Sequence, residues 1–387
     1  MAFQRRTARR MKLPAVAIAI ALAAGAGIAA PAAGAIVPSC SVVREGQPAY
    51  DTLQAAVDAA APGETLVLSG LCEGQTLVYK SVTIRGATKG ALGVPAEPVP
   101  PTLNGAAGGT TLRVENGAIV TLEGLTITGG TGTKVGFYTY GGNLWVEGGA
   151  TVTLKNTQVV AGRADSGAGM YAFNATIRMV GTSVFSDGVA AYSGGAIRLV
   201  EATLVMSGRS SIRDNTAHGS AGGVYLDAGT MTMKGRASVR ANQTEDPLGE
   251  GGGGLYLLRS SRLTMTGKSR LAANTSPNGG GLAMLETSEV RILGSAAVVD
   301  NTANGDTAAI VDPSFRDGGG GIWSDGTGML VLSGQGTIHD NTAAVAGAGG
   351  GVRADGMTLK VGAKTVTCRS RLLRPHLFAN TPENCVS

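Results

Sequence analysis

A chain of 387 residues is long enough for two average domains, but with 61 glycines, 4% aromatics and three histidines it lacks the large side chains of a conventional core. Its net charge of +5 comes from one segment: five of the 32 basic residues and none of the 27 acidic ones lie within residues 1–35, so removing them leaves 27 of each sign. That balance argues against a nucleic-acid partner.

In chain order, Arg5, Arg6, Arg9, Arg10 and Lys12 precede the apolar run AVAIAIALAAGAGIAA, which closes on a small-x-small AGA ending at Ala35. Residues 1–35 read as a signal peptide, with the mature chain beginning near Ile36. The protein is therefore expected to be secreted, extracellular or at the cell surface. No later segment approaches the ~20 apolar residues of a membrane span, so no transmembrane span is expected in the mature chain. Residues 36–387 are expected to form one domain: an N-terminal cap and first strand at 36–70, coils at 71–365, and a C-terminal cap at 366–387.

The cysteines fall in two end pairs, Cys40 with Cys72 and Cys368 with Cys385. Four cysteines allow three connectivities, and pairing within each end is favoured because the repeats between would hold the ends apart. With no CxxC, a four-cysteine metal site is disfavoured. After Cys40, YDTLQAAVDAAAPGETLVLSG reads as Asp51 capping an amphipathic helix with Leu53, Ala56, Val57 and Ala60 on one face. A PG turn and a strand follow.

From there the sequence repeats. Aligning each glycine-rich stretch on the apolar residue after it gives Leu144, Met170, Ile197, Val224, Leu255, Leu282, Ile322 and Val352, spaced near 27 residues with insertions. Period-two apolar pairs follow in each repeat, such as Leu204/Met206 and Met231/Met233. A third short strand ends in apolar-x-x-Asn, giving the column Asn215, Asn242, Asn274, Asn301, Asn341 and Asn380. Three strands per 27-residue coil imply an all-β, right-handed parallel β-helix with a short N-terminal capping helix. Glycine would serve the corners through positive φ, and asparagine would stack its amide on the next coil.

The helix followed by the PGET step at Pro62 to Thr65 resembles the right-handed parallel β-helix proteins of the pectate lyase-like superfamily. The GGAI, GGVY, GGLY and GGGI turns with apolar-x-x-Asn resemble the repeats of polymorphic outer-membrane adhesins. The resemblance covers about residues 50 to 380 and implies a scaffold rather than a chemistry. Enzymes of the superfamily cleave polysaccharides with clustered carboxylates, with Ca2+ in the lyases, and neither constellation is evident here. His218 and His339 read as surface residues.

Two longer inserts bring Glu245, Asp246 and Glu250, then Asp306, Asp312 and Asp317 with Arg316. Glu245, Asp246, Asp312 and Asp317 are the candidate metal ligands, for Ca2+, although solvated loops explain them equally well. No other cofactor is expected. The slot after each repeat's first apolar residue should face outward, and it holds Trp145, Tyr171, Arg198, Tyr225, Tyr256, Ala283, Trp323 and Arg353. Rings and arginines stepped along one face could stack on sugars and bind their hydroxyls or acidic groups, or could serve only as a ladder on the sheet. Trp323, flanked by Ala283 and Arg353, is expected to stand alone. A threonine face for ice or a surface lattice starts at Thr151/Thr153 and Thr230/Thr232 but is broken by Arg178, Val205, Arg291 and Val331. The expected function is a monomeric, non-catalytic scaffold for adhesion or binding of an extracellular polysaccharide or surface glycan. The alternative is a polysaccharide lyase or hydrolase with its site in the acidic loops.

Overall fold

The structure, a computed structural model, describes residues 39–87, 100–245, 251–305, 318–344 and 349–386. The leader and the mature N-terminus lie outside these residues, as do Asp246, Glu250, Asp306, Asp312, Arg316 and Asp317.

A short strand buries only one of its faces and gains a core by stacking on copies of itself. One coil contains Val224–Asp227, Thr230–Met233, Ser238–Arg240 and Gln243–Thr244. Each of these pairs in parallel with its equivalent in the next coil, Leu255–Leu258, Arg262–Met265, Arg270–Ala272 and Thr275–Ser276. Numbered round the coil, sheets one to four hold 11, 13, 11 and 9 strands. The fold is an all-β parallel β-helix, and connections of this kind are almost always right-handed. The coil thus has four strands, not three. The additional strand directly follows the ladder asparagine and is only two residues long in most coils, as in Thr216–Ala217 and Thr302–Ala303, too short to show a period.

All eight residues of the apolar column, Leu144 to Val352, are fully buried. On sheet two, Leu154, Met179, Met206, Met233, Met265, Ile292 and Leu332 stack in register within the core. Straight methionine chains suit so narrow an interior because they fill it without branching.

The glycine turns serve two purposes. Gly279 has φ +57°, the left-handed region expected of a corner. Gly280 is there for space: a Cβ would fall 2.4 Å from the Thr302 carbonyl oxygen and 2.6 Å from that of Gly320. At the asparagine corner the left-handed residue is the one before the asparagine. Asp214, Ala241, Ala273, Asp300, Asp340 and Ala379 have φ between 52° and 57°, which frees each asparagine to turn inward. Asn242 Nδ2 donates to Asn274 Oδ1 at 3.0 Å and to the carbonyls of Ile212 and Arg240. The same pattern carries Asn274 to Asn301, Asn301 to Asn341 and Asn341 to Asn380 at 2.9–3.0 Å. The ladder ends where Asn380 donates to Asn384.

At the N-terminal end the helix runs Leu53–Ala59 with Thr52, not Asp51, as its cap, since the Thr52 hydroxyl accepts from the Ala55 amide at 3.2 Å. Leu53, Ala56, Val57 and Ala60 are buried as expected. Disulfides join Cys40 to Cys72 and Cys368 to Cys385. Among the described residues no helix is long and apolar enough to cross a membrane.

Candidate functional site

The outer face of sheet one is set by register. Arg113, Trp145, Tyr171, Arg198, Tyr225, Tyr256, Ala283, Trp323 and Arg353 stand in one line, each paired with the next. The predicted column is therefore real and starts two rungs earlier, with Leu77 paired to Arg113. Its exposure is not as expected. Trp145, Tyr256 and Trp323 are buried at 7%, 4% and 2% exposure, while Tyr171, Arg198, Tyr225 and Arg353 are half-buried. Trp323 does not stand alone: it belongs to an apolar cluster with Ala221, Tyr256 and Ala283, bordered by Tyr225, Leu258 and Leu285. The Gly318 backbone also lies against its indole, where a Cβ would come within 2.4 Å of Cδ1.

The column is held together by its own π-faces and cations. The Arg113 guanidinium lies 5.4 Å from the Trp145 ring, and that ring lies 4.8 Å from Tyr171. Arg198 lies 4.8 Å from the Tyr225 ring, and Tyr225 stacks on Tyr256 at 5.2 Å with an interplanar angle of 11°. Arg198 also donates to the Ser193 hydroxyl at 2.9 Å, and Arg353 to Asp355 at 2.6 Å. Burial pushes the Tyr171 hydroxyl above its ordinary pKa, so it stays a neutral donor.

Exposed rings gather beside this column, on a feature that the sequence reading missed. Thr133–Val135 and Tyr138–Tyr140 form an antiparallel hairpin at the start of sheet four. Gly136 and Phe137 make its two-residue loop, and Gly136 at φ +63° supplies the left-handed first position. Tyr140 anchors the hairpin, 5.2 Å from Tyr171 and 6.4 Å from Trp145. Asp165 holds it from the next strand by accepting from the Thr139 amide at 2.7 Å and from its hydroxyl at 3.0 Å. On that rigid base Phe137 is 95% exposed, Val135 51% and Tyr138 45%. Tyr138 meets the half-exposed Tyr192 edge-on at 5.3 Å.

The carboxylates have other occupations. Burial would raise the Glu289 carboxyl, but hydrogen bonds from Arg262 and Arg291 hold it below its ordinary range. Asp227 is clasped by Arg259. Glu245 is exposed and pairs with His218 across one coil at 2.9 Å, so that histidine, read as merely solvated, has a partner. His339 lies against Phe378 with ring centroids 4.9 Å apart. No group of three or more metal-ligating side chains occurs among the described residues.

The chain matches no family model, no curated protein and no solved structure.

Proposed function

We propose that this protein is an exported, non-catalytic β-helix scaffold, secreted or held at the cell surface, that engages a surface glycan or extracellular polysaccharide. The observation that carries this reading is the cluster of exposed rings, Phe137, Tyr138 and Tyr192, on an anchored hairpin. Four of the ten exposed large apolar side chains among the described residues, Val135, Phe137, Tyr138 and Tyr192, gather here, and an uncovered apolar patch marks a place where a partner lies. Flat rings backed by a rigid core offer sugars a stacking surface with little ordering entropy. Tyr171, Arg198 and Tyr225, half-buried in the adjoining rungs of the outer column, would add polar contacts. The buried Trp145, Tyr256 and Trp323 would support the face from beneath. The capping helix, coils and asparagine ladder favour kinship with the pectate lyase-like superfamily, in its adhesin-like branch.

A glycan-array screen of the mature protein, run with reducing-end and unsaturated-uronate assays on the same polysaccharides, tests the proposal. Binding without turnover is expected. On the bound glycan, Phe137→Ala and Tyr192→Ala should each weaken affinity by about 1–3 kcal/mol without changing the melting temperature. Trp323→Ala should instead lower stability by about 3–5 kcal/mol, as for other buried tryptophans. The second reading, a polysaccharide lyase or hydrolase, draws its support from the His218–Glu245 pair. Turnover lost in Glu245→Gln would establish it and displace the first.

A further inference from the structure

A second feature lies on a different sheet and different coils from the hairpin. Near the N-terminal cap, the outer face of sheet two carries a groove of about 430 Å3 lined by Glu45, Thr65, Val67, Thr83, Arg85 and Glu123. Register builds it: Thr65 pairs with Thr83, Val67 with Arg85, and Arg85 with Glu123, so outward side chains of three successive coils meet. Glu45 closes one side from the turn after Ser41–Arg44, which runs antiparallel to the first of those coils. Val67, 4% exposed, lies at the floor of an otherwise polar lining.

Arg85 is the informative residue. Its Nε is shielded from solvent and has no hydrogen-bond partner, and Arg85 forms no ion pair among the described residues. The carboxylates that could neutralise it are engaged or set apart. Glu123 holds Lys155 at 2.9 Å, and Glu64 holds Arg44 at 2.8 Å. A half-buried guanidinium with an unmet donor implies a ligand that supplies acceptors.

We propose that this groove binds one ring of a neutral saccharide. A sugar hydroxyl both donates and accepts, and the groove offers both kinds of partner: guanidinium donors on Arg85, carboxylate acceptors on Glu45 and Glu123, and two threonine hydroxyls. The groove's volume falls within the range of small-ligand sites, about 300–1,000 Å3. With Glu123 already paired to Lys155, the remaining charges of the lining, Glu45 and Arg85, offset each other, so the groove offers an acidic sugar no net attraction. The site stands on its own geometry and does not depend on the hairpin rings.

The test is calorimetric titration of the mature protein with the neutral trisaccharides of glucose, xylose, mannose and galactose, and with trigalacturonate. At least one neutral sugar should bind more tightly than trigalacturonate. Arg85→Ala and the near-isosteric Thr83→Val should each weaken that sugar at least about fivefold, roughly 1 kcal/mol, while Phe137→Ala leaves it unchanged. Arg85→Lys should recover part of the affinity, and a melting curve on each variant separates lost binding from lost fold. If no neutral sugar binds, if trigalacturonate binds best, or if the Arg85 and Thr83 variants bind as the parent does, the proposal is overturned. Binding lost in Phe137→Ala but kept in Arg85→Ala would overturn it while leaving the hairpin reading intact.

Discussion

Each ladder asparagine both accepts from one neighbouring coil and donates to the other. In Asn274 the side chain accepts from the Asn242 backbone amide and side-chain amide, and it donates to both Asn301 and the Val239 carbonyl. All these groups are buried, so truncating one rung strands partners on both neighbouring coils, and stranded buried donors and acceptors are what make polar core substitutions costly. Asn274→Ala should lower unfolding free energy by about 3 kcal/mol, whereas Asn384→Ala, at the exposed end of the ladder, should cost about 1 kcal/mol. Denaturant titration of the two variants checks the contrast. The asparagines were legible in the sequence because apolar-x-x-Asn recurs at a fixed place in each coil. The left-handed residue before each was not, since Asp and Ala share that position and alanine carries no signature of positive φ.

At the scale of elements, the N-terminal cap is tied down by Glu64. It takes a bidentate hydrogen bond from Arg44 at 2.8 and 3.1 Å and accepts from the Ala61 amide at 3.1 Å. It thereby joins the first strand to the turn that follows the helix. Arg44 holds the Glu64 carboxyl below its ordinary pKa. A carboxyl depressed in the folded state stabilises above its ordinary range and loses that contribution as pH falls through the lowered value. Glu64→Gln should therefore lower the melting temperature at neutral pH, and the gap from the parent should close as the pH falls beneath the ordinary carboxylate range. Melting curves across pH check the sign. The helix was readable from its amphipathic spacing, with the cap misplaced by one residue because Asp51 and Thr52 are both good caps. The hairpin was missed because VGFY sits just before the first aligned repeat, where its glycine reads as one more corner.

For the molecule as a whole, the period was the most legible property and the exposure of the candidate site the least. Alternation along a strand shows which residues leave the core, but whether an outward ring meets solvent depends on the corner of a neighbouring coil. Gly318 against Trp323 is such a case. Equivalence of coils has a direct test. Thr176, Thr203 and Thr230 occupy the same register position on sheet two, so deleting residues 203–229 brings Thr230 beside Thr176 and lets Asn242 receive the Gly188 amide that Asn215 now accepts at 2.9 Å. That variant should keep a β-rich circular dichroism spectrum and one cooperative melting transition, because a stacked array is stabilised chiefly by nearest-neighbour contacts. Deleting 203–222 puts every later strand out of phase and should abolish the transition. The C-terminal staple also determines how a pulling force would travel. Cys385 lies in the strand that pairs with Val352 and Arg353, beside Asn384, while Cys368 lies 17 residues earlier. Tension applied beyond Cys385 would cross the disulfide to Cys368 and bypass the loop between them. The last coil would then have to come away as a closed ring, its strand pairing and its asparagine rungs loaded together rather than peeled one residue at a time.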